Sequence, residues 1–358
     1  MLALLYLSPA GHKEYMKRYD VLTIGSATRD VYLLGLKYDK HQDKHFTTGT
    51  GVCLPFGSKV GVPDLFFSTG GAGTNAAVTF ARYGYKTGAV YIVGDDVRGQ
   101  EIRKALEDEK VDTGFAQIDF QKQTAYSIIL LAKEGERTIM AYRGAGEALN
   151  AKKVPWNKLS ARLVYLNSLY GNIDLLRGAV SIKKRHGAKI AWNPSQTDLD
   201  LGLPKLLPLL KNVDIFLANQ EEMANLLSLP YNQPAKVFRK LDEIIGGIAV
   251  MTRGPEGVMV SDGKTLWDAG IFREKRIIDR TGAGDSFGSG FSAALLGHRN
   301  RTARDGLVSS DIEYAIRYAS ANATSKVENL GAKGGLLTKR EFLKEKRWKN
   351  LKIKKSVL

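Results

Sequence analysis

The sequence predicts an α/β fold in which a mostly parallel sheet is covered by helices on both faces. Short apolar segments such as DVLTIGSA, LVYLNS and GIAVMTRG alternate along the chain with helical patterns such as RGQEIRKALEDE. This alternation is typical of parallel strands joined by helical crossovers. Many of the segments end in Gly, Asn or Asp, and open α/β sheets bind ligands at the carboxyl ends of their strands. With 358 residues, 44% of them hydrophobic, the chain is long enough to bury a large core.

Composition limits the classes of partner. The formal net charge of +16 is compatible with an anionic small ligand or with nucleic acid. No apolar run approaches the roughly 18 residues that a membrane span needs, so we expect no membrane partner. A single cysteine, Cys53, rules out an internal disulfide and predicts a reducing, cytoplasmic location.

The two ends of the chain are predicted to lie outside the main domain. We interpret residues 1–18 as a loose extension, 19–345 as the domain and 346–358 as a basic tail, and we expect Met1 to Tyr15 to be dispensable. The run REFLKEKRWKNLKIKK, 340–355, alternates basic and apolar residues. This pattern favours an amphipathic terminal helix with a solvated face over a tail that binds nucleic acid.

The stretch DRTGAGDSFGSGF, 279–291, carries the strongest chemical signal. Gly282, Ala283 and Gly284 leave the backbone bare where an apolar helix begins, and free amides at a helix N-terminus bind anions such as phosphate. Asp285 would repel a phosphate if it were a ligand. As a general base beside the phosphate, it could take the proton of an attacking hydroxyl. The stretch therefore predicts a site that holds an anion and a nucleophile together.

Two further motifs fit phosphate chemistry. NQEE offers the carboxamide of Asn219 and the carboxylate of Glu222, which could hold Mg²⁺ through water. TRGPEG offers Thr252, Gly254 and Gly257 to the phosphates of a nucleotide. Each motif by itself is more often a helix cap or a turn.

The glycines of STGGAGTNAAVTFARYG allow three interpretations. Gly71–Ala76 matches G-x-G-x-x-A and Asp95 follows about twenty residues later, as in a dinucleotide site of an NAD-dependent oxidoreductase. A tight strand-to-helix turn without a ligand would look the same. In the third interpretation Gly70, Gly71 and Asn75 present amides to substrate hydroxyls.

Taken together, the motifs resemble the ribokinase-like carbohydrate kinase family, also called the phosphofructokinase-B family, from about Tyr19 to Glu345. DRTGAGD is similar to its C-terminal signature, GGAGTNAAVTFARYG…VGDDVRGQ to its N-terminal one, and GSATRD to its first-strand motif. NQEE and TRGPEG resemble its magnesium and nucleotide motifs. The resemblance implies a three-layer α/β/α fold with a small β lid, supplied by segments at about 34–67 and 121–145. It also implies ATP as the donor, with Mg²⁺.

The resemblance assigns roles to single residues. It implies that Asp30 binds sugar hydroxyls, that Asn193 contacts phosphate, and that a monovalent cation such as K⁺ lies near Asp279. Thr28 stands where ribokinases carry asparagine. Asn167 falls where they carry a ribose-binding glutamate, so the resemblance implies that it contacts the substrate. Both departures argue against ribose.

Arg143 has two interpretations. It would project from a lid strand, where it could favour an acidic or phosphorylated substrate. A surface arginine would look the same in the sequence.

We therefore predict an ATP- and Mg²⁺-dependent kinase that phosphorylates a hydroxyl of a sugar or sugar derivative, with Asp285 as the base. A nucleoside kinase of the same fold is the alternative, and an NAD-dependent oxidoreductase is a third possibility from another class. The expected partner is a small sugar or nucleoside, not nucleic acid. The resemblance also implies a homodimer formed through the lid.

Overall fold

The computed structural model describes residues 16–44, 49–131, 137–298 and 309–357. The strands are β1 (Lys17–Gly25), β2 (Thr28–Leu34), β3 (Asp39–Gln42), β4 (Thr50–Cys53), β5 (Asp64–Gly70), β6 (Thr87–Val90), β7 (Ile92–Gly94), β8 (Gln117–Asp119), β9 (Tyr126–Leu131), β10 (Arg137–Tyr142), β11 (Leu159–Asn167), β12 (Lys189–Asn193), β13 (Ile215–Asn219), β14 (Ile248–Thr252), β15 (Val258–Ser261), β16 (Thr265–Ala269) and β17 (Ile353–Val357). The helices are α1 (Ala72–Tyr83), α2 (Val97–Asp108), α3 (Ile173–His186), α4 (Gln196–Leu199), α5 (Leu203–Leu210), α6 (Gln220–Leu227), α7 (Pro234–Asp242), α8 (Ala283–His298), α9 (Ser309–Val327) and α10 (Lys339–Lys344).

The core is a nine-stranded sheet in the order β17-β16-β15-β14-β13-β12-β11-β1-β6. The strands from β6 to β14 are mutually parallel, and β15, β16 and β17 add antiparallel pairs at one edge. Parallel strands need crossover connections, and the chain supplies helices for them. The predicted mostly parallel sheet is confirmed.

Helices cover both faces of this sheet. Side chains alternate along each strand, so neighbouring residues of β1 pack on opposite faces. Val21 belongs to a buried cluster that includes residues of α1, α8 and α9, whereas Leu22 belongs to a second cluster that includes residues of α3, α5, α6 and α7. A strand buried on both faces reads as a continuous apolar run, as DVLTIG does. The predicted three-layer α/β/α arrangement is therefore confirmed.

A second, four-stranded sheet has the order β10-β9-β2-β5, and the hairpin β3–β4 lies within the connection from β2 to β5. The segments 34–67 and 121–145 supply most of this sheet, as the resemblance implies. It also includes β2, which begins at Thr28 and so starts before the predicted segment. The fold thus contains the expected small β unit, with one strand more than the two segments provide.

The C-terminal residues form a strand where the sequence favoured a helix. α10 ends at Lys344, and β17 then pairs antiparallel with β16 over Ile353–Val357. Trp348, between them, is buried with its ring 5.1 Å from that of Phe272. The predicted amphipathic terminal helix is wrong, because alternating basic and apolar residues also suit an edge strand with one face on the core.

The N-terminal boundary also shifts. Residues 1–15 lie outside the described part, and β1 begins at Lys17, so the predicted boundary at 18–19 falls within a strand. Among the helices in the described ranges, none is long and apolar enough to cross a membrane.

Replacing Trp348 tests whether the C-terminal segment is part of the core. Trp348→Ala should lower the free energy of unfolding by about 3–5 kcal/mol, since it leaves a large cavity beside Phe272. Leu343→Ala, at an exposed position of α10, is the control and should change it by less than about 0.5 kcal/mol. Urea unfolding measures both. If Trp348→Ala has the same free energy of unfolding as the wild type, the segment beyond α10 does not support the fold.

Candidate active site

Four neighbouring parallel strands, β11 to β14, end in polar residues at one edge of the large sheet, and β1 beside them ends in Gly25. Gly25 of β1 is in register with Asn167 of β11, and Asn167 with Asn193 of β12. At β13 and β14 the last residues, Asn219 and Thr252, are again in register. Carboxyl ends of parallel strands meet at one edge, so the topology alone brings these side chains together.

Asp285 lies in the first turn of α8 above this edge, and two amides hold its carboxylate. Asn75 Nδ2 of α1 donates to Asp285 Oδ2 at 3.0 Å, and Asn167 Nδ2 donates to Oδ1 at 3.1 Å. From the sequence we expected Asn75 and Asn167 to contact the substrate. The structure places both against the carboxylate of the expected base.

The environment favours the protonated form of Asp285. Burial raises the pKa of its carboxyl above the ordinary value, and the amides of Asn75 and Asn167 and the charge of Lys333 offset part of that rise. An elevated pKa is what general-base catalysis near neutral pH requires.

The glycines before Asp285 shape the start of α8. Gly282 has φ +76°, and a Cβ there would lie 3.2 Å from the Ala332 carbonyl oxygen. A Cβ at Gly284 would meet open space, so its backbone faces the cavity. The Ala283 amide donates to the Arg280 carbonyl at 3.3 Å. This corrects the expectation of three bare amides, because one of them has a partner in the preceding turn.

Two adjoining cavities meet at this helix start and share Thr252, Gly284 and Phe287. One also has Gly254 and Gly257 in its wall and extends between the TRGPEG turn and α9. The other extends over the strand ends and is lined by Asn167, Asn193, Asn219, Glu222 and Asp285. The predicted nucleotide residues and the predicted base therefore face one continuous depression.

Asn219 and Glu222 cap α6. The Glu222 amide donates to Asn219 Oδ1 at 2.9 Å, and the Asn219 amide donates to Glu222 Oε2 at 2.8 Å. The capping interpretation of NQEE is thus confirmed, while both residues also face the cavity. Burial and the negative charge of Asp285 raise the pKa of Glu222, so two carboxylates share this wall.

Asp30 is buried in β2 of the smaller sheet. Thr28 Oγ1 donates to Asp30 Oδ1 at 2.9 Å, and a Cβ on Gly70 would lie 2.0 Å from Oδ2. Glycine is therefore required at position 70 if the carboxylate is to occupy this place. Burial raises the pKa of Asp30, and Lys333 is among the groups that lower it.

Lys333, in GAKGG, was missed by the sequence analysis. Its Nζ donates to the Thr69 carbonyl and Thr69 Oγ1, both at 2.9 Å, and to Thr74 Oγ1 at 3.1 Å. Burial lowers its pKa to about 7, against the attraction of Asp30 and Asp285. Glycines on both sides of the lysine were the available signal, because they mark a backbone that packs closely.

The glycine turn before α1 is packed against protein, which opposes the dinucleotide interpretation. A Cβ on Gly71 would lie 2.5 Å from Ala27 Cα, and one on Gly73 would lie 2.6 Å from the Gly25 carbonyl carbon. Ser26 accepts hydrogen bonds from the amides of Ala72 and Thr74. A pyrophosphate would need those amides, so the NAD-dependent alternative, with Asp95 as its ribose ligand, lacks its binding groups.

Arg143 lies just after the strand from which it was expected to project, because β10 ends at Tyr142. Its guanidinium is half-exposed, lies 5.4 Å from the Tyr170 ring centroid and pairs with Glu147 at 3.6 Å. Tyr170 in turn hydrogen-bonds to Ser26, which holds the start of α1. Arg143 is therefore near the glycine turn but is not bonded to Asp30 or Asp285 within the residues described.

Asp279, the expected neighbour of a monovalent cation, is already paired. Lys326 Nζ donates to the Asp279 carbonyl oxygen at 2.8 Å and to Asp279 Oδ2 at 3.3 Å, and both residues are fully buried. Asp279, near which the resemblance implies a monovalent cation, thus contacts a fixed ammonium.

The sequence is similar to those of known kinases. The chain is 29% identical to a ribokinase of Haemophilus influenzae over 286 residues, which are 76% of this chain and 86% of that protein. It is 28% identical to a nucleoside kinase of Methanothermobacter thermautotrophicus over 264 residues, 73% of this chain and 79% of that one.

A solved structure shares the fold. Ribokinase of Arabidopsis thaliana, in complex with ribose and ATP, superimposes with a TM-score of 0.70 at 21% identity, over 93% of this chain and all of the other. The family model described as pfkB family carbohydrate kinase matches residues 20–339. Because this match covers most of the chain, the chain is a member of the pfkB family of carbohydrate kinases.

Proposed function

We propose that this protein is an ATP-dependent kinase that transfers the γ-phosphate to a hydroxyl of a sugar or nucleoside. One observation carries the proposal. The Asp285 carboxylate is half-buried in the first turn of α8, held by two amides, where the two cavities meet. The ribokinase and nucleoside kinase relatives support the same reaction class.

The reaction assigns a role to each part of the depression. The acceptor hydroxyl loses its proton to Asp285 as its oxygen forms a bond to the γ-phosphorus, and the bond to the β-phosphate oxygen breaks to release ADP. The first turn of α8, with the open backbone at Gly284, faces the transferring phosphoryl group and stabilises its charge. Thr252, Gly254 and Gly257 line the cavity assigned to the nucleotide, and Asn193, in the wall of the adjoining cavity, would contact a phosphate.

Asn75 and Asn167 act on the base in this proposal. Each donates an amide N–H to one oxygen of Asp285, which fixes the plane of the carboxylate before the acceptor arrives. Holding a catalytic group in its reactive orientation removes an entropic barrier from the reaction step. We therefore assign both asparagines as positioning residues, in place of the direct substrate contacts first expected.

Asn219 and Glu222 fit a hydrated Mg²⁺. Glu222 is half-buried, faces the cavity and lies close enough to Asp285 for the two negative charges to interact, so a divalent cation would relieve their repulsion. Among the described residues no group of three or more His, Cys, Asp or Glu could hold a metal ion. The metal would therefore be bound mainly through water and nucleotide phosphates, as Mg²⁺ commonly is. When bound, it would neutralise phosphate charge.

Asp30 and the glycine turn form the acceptor end. The carboxylate of Asp30 accepts hydroxyl hydrogen bonds, and Gly70 leaves room for it. Because β2 carries Asp30, the smaller sheet covers the acceptor as a lid. Arg143, near the same turn, would favour an acceptor that carries a carboxylate or phosphate.

Two points of organisation complete the proposal. Several apolar side chains on the smaller sheet are exposed, namely Leu65, Phe67, Ile139, Met140 and Tyr142. Such a patch suits pairing of two chains through the lid.

The lone cysteine, Cys53, is exposed and free, which suits a location in the reducing cytoplasm.

An ATP-consumption screen tests the proposal. The panel contains sugars, sugar acids, sugar phosphates and nucleosides, with acceptor-free ATP hydrolysis as the background. We expect one chemical class to stimulate ADP release, and mass spectrometry to show one added phosphate on the acceptor. Absence of stimulation by every class, with intact ATP binding, would remove the proposed acceptor types.

Asp285→Asn tests the base. The amide keeps the shape of the side chain, and Asn75, whose Oδ1 has no hydrogen-bond partner, can rotate to accept from it. The fold and ATP affinity should persist while kcat falls by about 10²–10⁴-fold, because the amide cannot take a proton. Asp108→Asn, on the surface of α2, is the control and should leave kcat unchanged. Turnover of Asp285→Asn at the wild-type rate would refute the assignment.

Glu222→Gln tests the magnesium assignment. The glutamine can still accept from the Asn219 amide, so α6 keeps its cap while one negative charge is lost. The Mg²⁺ concentration for half-maximal turnover should rise by about 10-fold. Glu221→Gln, the exposed neighbour in the same helical turn, should leave the Mg²⁺ titration unchanged. If the two variants behave alike, Glu222 is only a cap.

Lys333→Met tests the electrostatics of the base. Lys333 is charged below its pKa of about 7, and this charge lowers the pKa values of Asp30 and Asp285. Its loss should raise the pKa of the Asp285 carboxyl, so the acid limb of the kcat/KM profile should move to higher pH. Lys333→Arg keeps the charge and should keep the limb in place. If the acid limb of the kcat/KM profile of Lys333→Met lies at the same pH as that of the wild type, the Lys333 ammonium does not influence the base.

A further inference from the structure

Lys326 is a lysine whose charged end is fully enclosed by protein. It lies in the last turn of α9, and its side chain has no exposed surface. Its Nζ donates to three oxygens: the Asp279 carbonyl at 2.8 Å, Asp279 Oδ2 at 3.3 Å and the Asn329 carbonyl at 3.2 Å. An ammonium carries three protons, so every one of them has an acceptor. A buried lysine with a complete set of oxygens is a built site for a positive charge.

The oxygens around this ammonium come from two segments that border the active site. Asp279 begins the loop into α8, and its Oδ1 accepts from the Thr281 amide at 2.8 Å. Asn329 belongs to the turn after α9, and the Gly331 amide donates to Asp279 Oδ2 at 3.1 Å. The Lys326 ammonium therefore links the turn after α9 to the loop before α8 through hydrogen bonds to both segments.

These two segments meet again beside the reacting groups. Gly282, with φ +76°, packs against the Ala332 carbonyl, and Lys333 follows directly. Displacement of either segment would move the start of α8, where Asp285 and the backbone of Gly284 face the cavity. The position of the Lys326 ammonium is thereby coupled to the geometry of phosphoryl transfer.

A free monovalent cation does not fit the same place. It would need the oxygens of Asp279 and Asn329 that Lys326 Nζ already contacts. It would also lie within contact distance of a second unit positive charge in a buried setting, where repulsion is strong. The K⁺ that the family resemblance implied near Asp279 thus disagrees with the residues present.

We propose that the Lys326 ammonium replaces a monovalent cation, so that this kinase carries the activating charge within its own chain and turns over independently of K⁺. The inference rests on the proposed kinase function and deepens it. A lysine ammonium is a compact point charge, and NH₄⁺ is its nearest free counterpart.

The wild-type protein provides the first test. Its turnover should be the same in potassium, sodium and tetramethylammonium chloride at equal ionic strength. Its melting temperature should also be the same in the three salts, because a cation without a site cannot stabilise the native state. A requirement for K⁺, or specific stabilisation by K⁺, would overturn the proposal.

Two variants provide the second test. Lys326→Ala removes the charge and leaves space, so turnover in tetramethylammonium chloride should fall by about 10²-fold and recover when NH₄⁺ or K⁺ is added. Lys326→Met removes the charge but fills the space, so added cation should not restore it. Lys344→Ala, an exposed lysine at the end of α10, is the control and should match the wild type in every salt.

Melting temperatures separate this inference from the kinase proposal, since they need no acceptor. NH₄⁺ or K⁺ should raise the melting temperature of Lys326→Ala but not that of Lys326→Met or the wild type. Wild-type turnover by Lys326→Ala without any small cation would contradict the inference. If Lys326→Ala folds only in the presence of NH₄⁺ or K⁺, that dependence itself supports it. If Lys326→Ala folds in none of these salts, the turnover and melting temperature of the wild type in the salt series still test the proposal. The turnover of Lys326→Met with and without added cation tests it as well.

Discussion

The carboxylate of Asp285, held between two amides from different elements, is the contact on which the rest of the site depends. Asn75 reaches it from α1 and Asn167 from the end of β11. For both to arrive, α1 must approach the first strand closely, and Gly73 against Gly25 provides that approach without side chains. The packing of the core and the position of the Asp285 carboxylate therefore both require glycine at positions 25 and 73.

The positive charges of two lysines offset the negative charges of the aspartates around α8. Lys326 pairs with Asp279 at the beginning of the loop, and Lys333 lies near Asp30 and Asp285 beyond the next turn. Lys326 lies in the last turn of α9 and Lys333 in the connection to α10, so one short segment supplies positive charge to both sides of the proposed reaction centre. The positive charge of Lys333 lowers the pKa of the Asp285 carboxyl, which opposes the effect of burial.

The sequence predicted the fold well because its signal is periodic and repeated. Apolar runs that end in Gly or Asn marked the parallel strands, and their register then brought Asn167, Asn193 and Asn219 to one edge. The order of the motifs placed Asp285 beside the glycines. Long-range topology followed from local pattern, as it does when every level of the sequence favours the same structure.

Other features could not be read from the sequence, for physical reasons. A lysine that is buried, such as Lys326, has the same local pattern as one that is solvated, because its partners Asp279 and Asn329 depend on the tertiary fold. Asn75 and Asn167 were expected to contact substrate, since nothing in the sequence shows that both point at one carboxylate. At the C-terminus a short run of alternating basic and apolar residues suited both a helix and an edge strand, and the free edge of β16 favoured the strand.

The segment after α9 also joins the two sheets. A Cβ on Gly331 would lie 2.9 Å from the Phe66 ring and 3.0 Å from Ser68 Oγ of β5, and Lys333 Nζ donates to the Thr69 carbonyl in the same strand. The smaller sheet, which carries Asp30, is thereby fastened to the segment that also packs on Gly282 at the start of α8. The proposed acceptor end and the proposed phosphate end of the site consequently contact the same stretch of chain.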